Sequence, residues 1–214
     1  MRAAGPASIS TDQAMPVART PERGSERGAA TRSALLAAAR AVFIEEGYAQ
    51  AGVTDIVARA GASVGSMYHH FSGKAELYLA LFDELENDYI ERTRTAVRRA
   101  RDAGVSDPMV LFLIGARGYL DVSIEQRELV GVLARGDGPP GFEMARQQRL
   151  RDWVGKNTEF FARSGEPLDE AVAIVMTGAM MLAVSEVARA ADCIRARQIA
   201  DGVISVMSRL EIRS

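Results

Sequence analysis

Gly61-Ala62-Ser63-Val64-Gly65-Ser66-Met67-Tyr68-His69-His70-Phe71-Ser72-Gly73-Lys74 decides how this chain is read. Gly61 closes one short helical pattern, because glycine takes the left-handed backbone of a helix C′ position without a Cβ penalty. Ser63 opens the next, since its side chain can accept a hydrogen bond from a free N–H of the first turn. Two short helices joined by so tight a turn read as a helix-turn-helix, whose second helix enters the DNA major groove led by its N-terminal residues. Those residues are Val64, Gly65 and Ser66. Val64 suits a thymine methyl, Gly65 lets the backbone approach, and Ser66 can donate to a base or phosphate. Tyr68 and His69 lie one turn on and Lys74 opens the following helix. These three suit phosphates, which set register rather than sequence.

Upstream, Leu35, Ala38, Ala39, Val42 and Phe43 recur at spacings of three and four, predicting a helix that is capped by Thr31 and ends at Gly47. Val53–Ala60 reads as a second helix with Ile56, Val57 and Ala60 inward. Residues 1–28 are rich in Ala, Gly, Pro, Ser and Arg and hold too little apolar surface to order themselves, so a disordered arm is expected there. Arg19, Arg23, Arg27 and Arg32 are within reach of a minor groove or of phosphates, and Arg32 is taken as a DNA-binding candidate. Downstream, Ser72 suits the cap of a fourth helix with Glu76 in its first turn. Gly and Pro then punctuate helices near 75–101, 108–123, 125–135, 142–164, 168–192 and 195–212, with no strand pattern. The expected fold is all-α, with about nine helices: a DNA-binding domain over 29–74, then a larger helical domain over 75–214.

The pattern Phe43…Gly47-Tyr48…Ile56…Ala60-Gly61…Ser63…Gly65…Tyr68-His69-His70-Phe71…Lys74…Glu76-Leu77 resembles the TetR family of bacterial transcriptional regulators over roughly residues 31–80. The resemblance implies that Val64, Gly65 and Ser66 face bases. It implies that Tyr68, His69 and Lys74 contact phosphates or nearby bases, and that His70 packs at the end of the recognition helix. It also implies a C-terminal domain that binds a ligand and dimerises. The chain departs from the family at Gly52, where Thr or Ser often caps the second helix and touches a phosphate. Val57 and Ala62 exchange the family's usual alanine and valine, a swap that conserves volume in the small core.

Bulk properties narrow the function. The chain has 214 residues, is 48% hydrophobic and carries a net charge of −2, so DNA binding must use a local patch rather than a basic coat. From Arg19 to Lys74 seven basic side chains face five acidic ones, an asymmetry of the right sign. One cysteine, Cys193, allows no internal disulfide and suits a reducing compartment. The N-terminal residues lack the apolar core of a signal peptide, and no run of about 18 apolar residues marks a membrane span. The stretch around Ala171–Val184 is broken by Thr177 and Gly178 and reads as a buried helix. A cytoplasmic protein with no membrane partner is expected.

Two motifs imitate enzymes. Gly61-Ala-Ser63-Val-Gly65 matches the G-x-S-x-G of hydrolases, which works only on a strand-to-helix turn with a distant acid and histidine. Gly136-Asp-Gly138-Pro-Pro-Gly141 matches G-x-G-x-x-G, yet two prolines remove N–H donors that a pyrophosphate needs and a helix precedes it. It reads as a helix-helix loop that could border a ligand entrance. His69 and His70 point about 100° apart on a helix and cannot share a metal. No catalytic constellation and no cofactor are expected.

For the C-terminal domain, an apolar and aromatic pocket is expected from Phe112, Tyr119, Trp153, Phe160, Met176 and Met180, with Asn157 and Glu186 as polar partners. Ile174, Gly178, Leu182 and Ser185, with Ile199, Val203, Val206 and Leu210, are expected to form the dimer interface. The sequence is best accounted for by a homodimeric regulator, a repressor released from a palindromic double-stranded DNA operator by a small, largely apolar effector. The alternative is a helical ligand-binding protein or enzyme with a vestigial DNA-binding domain.

Overall fold

α1 runs from Glu22 to Gln50 and buries Leu35, Leu36, Ala39, Val42 and Phe43 along one face. The computed structural model describes residues 22–163 and 169–209, and among them every regular element is a helix. α1 begins at Glu22 rather than at Thr31. Thr31 is inside the helix, its hydroxyl donating to the Arg27 carbonyl at 2.9 Å, a back-bond to the preceding turn rather than a cap. Residues 22–28, expected in the arm, are therefore helical; residues 1–21 lie outside the described residues. Gly47 breaks the last turn of α1 with φ 79°.

α2 (Val53–Ala60) and α3 (Val64–His70) form the expected motif. Gly61 has φ 62° and ψ 28°, and its N–H and that of Ala62 donate to the Ala58 and Val57 carbonyls. This is the left-handed stop that glycine allows. Ile56, Met67 and Phe71 then close onto α1 as one small core.

α4 (Lys74–Asp102) is long enough, at about 43 Å, to leave this core and run through the next domain. It lies along α5 (Pro108–Glu125), followed by α6 (Arg127–Ala134), α7 (Phe142–Arg163), α8 (Glu170–Arg189) and α9 (Cys193–Met207). Asp107, Asp169 and Asp192 fix three of the helix starts by accepting from Val110, Ala171 and Arg195 N–H groups. Gly115 permits the close approach of α4 and α5, since a Cβ there would sit 3.0 Å from Thr93 and 3.2 Å from Val97.

The two domains are welded by aromatic rings. Tyr78 of α4 packs edge-on against Phe43, Tyr48 and Phe142, with centroids 5.4, 5.0 and 5.0 Å away, and Phe142 meets Phe82 at 5.1 Å. Gly138 sits against this cluster: a Cβ would come within 2.7 Å of Phe142 and 3.1 Å of Tyr78. The Gly136–Gly141 loop is thus a packing joint beside the N-terminal helices, and its residues line neither of the two cavities described below.

α8 differs from its expected character. By length and composition it is apolar enough to cross a membrane, and only 39% of its most apolar stretch is buried. It packs on α5, α6, α7 and α9 through Ala173, Met176, Met180, Ala183 and Val187. Its other face is apolar and open.

Candidate functional site

α3 divides its side chains sharply. Met67 is fully buried, whereas Val64 is 44% and Tyr68 56% exposed, and Gly65 and His69 are open as well. Ser66 is half-buried. Ser63 accepts the Ser66 N–H at 3.0 Å, so the hydroxyl in the hydrolase-like motif serves as a helix cap on a helix-turn-helix. His70 turns towards α1, 3.8 Å from a Cβ built on Gly28. Arg32 projects from α1 with its guanidinium 5.0 Å from the centre of the Phe71 ring. Gly52 caps α2 with no side-chain bond, and the Asp55 carboxylate occupies the space a larger side chain would need, 2.4 Å from a built Cβ.

Lys74 is placed differently from the other candidates. Its ammonium donates to the carbonyls of Tyr48, Ala49 and Ala51 at 2.7, 3.3 and 3.0 Å and lies 4.5 Å from the Tyr48 ring centre. All three N–H donors of the ammonium are matched inside the domain. Glu76 accepts the Ser72 N–H at 2.6 Å; this bond, with the Arg32 charge nearby, holds its carboxyl below the usual range.

A cavity of about 190 Å³ lies in the C-terminal domain. Phe112, Tyr119, Trp153, Phe160 and Met180 all line it, as does Asn157, whose side-chain N–H donates to Thr177 at 2.9 Å. Met176 does not; it is buried in the core. Glu186 does not either; it pairs with Arg189 on the open face of α8. Sequence reading missed Thr93 and Val97 on α4, because nothing local tells which face of a long polar helix meets a cavity.

A second cavity of about 70 Å³ shares Tyr119, Trp153 and Met181 with the first. Its wall contains Glu86, 6% exposed, whose carboxylate accepts from the Trp153 indole at 3.3 Å. Burial pushes the Glu86 carboxyl above the ordinary carboxylate range, against the Trp153 hydrogen bond and the charges of Arg149 and Lys156. Tyr89 and Tyr119 stack beside it, with centroids 3.8 Å apart, and Trp153 meets Tyr119 edge-on at 5.3 Å.

On the open face of α8, Ile174 is 52% and Leu182 64% exposed, with Gly178 between them. On α9, Val206 is 63% exposed, while Val203 and Ile199 are half-buried against the core. Leu210 lies outside the described residues.

Comparison with known proteins adds a family. Residues 35–81 match the model for bacterial regulatory proteins of the tetR family. The transcriptional activator FasR of Mycolicibacterium smegmatis is 42% identical over 71 residues, 33% of this chain and 32% of FasR. The chain thus spans about a third of the length of FasR. The transcriptional regulator AcuR of Cereibacter sphaeroides is 27% identical over 157 residues, 71% and 72% of the two chains. In fold, the chain is similar to a TetR-family transcriptional regulator from Pectobacterium atrosepticum, at 24% identity and TM-score 0.59 over 91% of this chain and 99% of that one.

Proposed function

We propose that this chain, which belongs to the tetR family of bacterial regulatory proteins, is a homodimeric, cytoplasmic DNA-binding regulator whose affinity for its operator is lowered by a small ligand. The observation that carries the reading is the division of α3. Met67 anchors it to the core, while Val64, Gly65, Tyr68 and His69 stand free on the outside. A rigid helix with an open first turn is what base readout in the major groove needs. In this reading Val64, Gly65 and Ser66 meet base edges, and Arg32, Gly52, Tyr68 and His69 meet the backbone. Lys74 acts by positioning, because its donors already hold α1.

The open apolar face of α8 and α9 supports a two-fold dimer, which sets two recognition helices on successive major grooves of a palindrome. α4 supports ligand response. It begins at the DNA-binding domain with Lys74 and lines the larger cavity with Thr93 and Val97. A ligand that favours one tilt of α4 would change the spacing of the recognition helices, and couplings of this kind are typically about 1–3 kcal/mol. Repression is the expected sense, although relatives bear both activator and repressor names. The test is fluorescence anisotropy of the protein on DNA from its own promoter region and on random DNA at matched salt. Equal affinity for the two would sink the proposal.

A further inference from the structure

We infer that the ligand site is built for an organic monocation: a compact, one-ring amine whose ammonium pairs with Glu86 in the smaller cavity while its ring fills the larger. The inference rests on the regulator reading only in naming this ligand the effector.

Glu86 is the starting point. A carboxylate this deeply buried is retained at a cost unless it is paired, and among the described residues no cation forms an ion pair with it, the charges of Arg149 and Lys156 acting on it only from a distance. Arg149, from the same cavity wall, bonds Asp83 at 2.6 Å, and Arg146 bonds Glu143 at 2.8 and 3.0 Å. Lys156 sits 5.0 Å from the Trp153 ring centre, and no ion pair to it is found among the described residues. The Trp153 indole, a neutral donor, is the one hydrogen-bond partner found for Glu86 among them. The acid is left facing a cavity.

The walls suit a cation as well. Tyr89, Tyr119 and Trp153 surround the acid; the two tyrosine faces stack on each other, and the Lys156 ammonium over the Trp153 ring shows this wall already holding a cation against an aromatic face. The larger cavity is predominantly apolar, and its Asn157 is matched internally by Thr177. Size then limits the ligand. An apolar cavity of about 150 Å³ accepts benzene, so about 190 Å³ holds one ring with a short linker, and about 70 Å³ is the scale of an ammonium group. Met181 stands in the shared wall, and its unbranched side chain can yield to a linker.

Trp153 is the only tryptophan in the chain, so its fluorescence reports directly on the site. The full-length protein is titrated with 2-phenylethylamine, 2-phenylethanol and 3-phenylpropanoate, which share a ring and differ in charge. The amine is expected to bind at least about tenfold more tightly than either. Glu86→Gln should remove that preference while circular dichroism shows the fold unchanged. In the wild type, amine binding should fall on acidification as Glu86 takes up a proton, while alcohol binding stays level. The other titratable or charged groups facing Glu86 are Asp83 and Tyr89 of α4, Tyr119 of α5, and Arg146, Arg149 and Lys156 of α7, whereas α6 and α8 line the cavity with uncharged side chains only. The chain's two histidines are both in α3. The inference is overturned if the acid or alcohol binds as well as the amine. It is equally overturned if Glu86→Gln keeps the preference, or if the amine shows no saturable binding up to about 1 mM. Operator anisotropy separates the two readings. Amine binding that leaves DNA affinity unchanged upholds the cation site and removes its role as effector site. DNA release by a neutral compound alone upholds the regulator and removes the cation.

Discussion

The Lys74 ammonium, at the first residue of α4, lies 2.7 Å from the Tyr48 carbonyl near the end of α1. Two further carbonyls complete its shell. The last carbonyls of a helix have no intrahelical partners and carry partial negative charge, so a cation there satisfies them and complements the dipole. Lys74 thereby pins the helix that carries the small core to the helix that enters the C-terminal domain.

Lys74→Ala should therefore lower stability by about 1.5–3 kcal/mol per hydrogen bond to charge that is lost without replacement, offset where water reaches the carbonyls. Urea unfolding measures it. DNA affinity should fall with the slope of log K against log salt unchanged. A slope reduced by about 0.9 would show instead that Lys74 neutralises a phosphate.

Tyr68→Ala and Met67→Ala should separate contact from scaffold within a single turn of α3. Tyr68 is more than half exposed and its loss should change stability by no more than about 0.5 kcal/mol, while DNA affinity drops. Met67 is fully buried, and its truncation should cost about 2–5 kcal/mol. Equal destabilisation by the two substitutions, measured by thermal melting, would remove Tyr68 from the list of surface contacts.

Much of this was legible in the sequence because its signals are local. Gly61 and Ser63 specify a turn through their own backbone and hydroxyl, and the structure uses both as read. The aromatic residues of the larger cavity were legible by type, since large side chains on facing helices must either fill space or line it. Glu86 was not legible. In Leu85-Glu86-Asn87-Asp88 it looks like a solvated helix position, and only tertiary packing buries it. The internal partners of Lys74 were hidden for the same reason: they lie more than twenty residues away, and a lysine near a helix-turn-helix invites a phosphate. Thr31 reads as a cap because residues 1–28 hold too little apolar surface to order themselves, whereas the helix extends back to Glu22.

Gly138→Ala tests the joint between the domains. The added methyl would meet Phe142 at 2.7 Å and Tyr78 at 3.1 Å, and both rings are buried. Overpacking of this kind costs about 1–3 kcal/mol, read as a lower Tm. Because Tyr78 also packs on Phe43 and Tyr48, operator affinity should change along with stability. A variant with unaltered Tm would show that the loop gives way freely.

Leu182→Glu should leave the fold intact and break the dimer. Leu182 is 64% exposed in the single chain, so a charge there costs the monomer little. In a two-fold interface the same residue meets its own face, and two buried carboxylates would repel. Sedimentation velocity should show a dimer for the wild type and a monomer for the variant. Identical sedimentation of the two would move the interface elsewhere.

Glu86→Gln should stabilise the unliganded protein at neutral pH. Burial raises the Glu86 carboxyl pKa in the folded state, so the folded chain holds this proton more tightly than the unfolded one. A raised pKa contributes stability that is fully present below the unfolded value and is lost as pH rises through the folded value. Above the folded value the wild type lacks that contribution and carries a buried charge, whereas glutamine keeps the shape without the charge and can still accept the Trp153 N–H. The variant's Tm should exceed that of the wild type at pH 7.5, and the difference should shrink as pH falls towards 4. A difference that is flat with pH would mean that Glu86 is solvated in solution and that the smaller cavity is open to water.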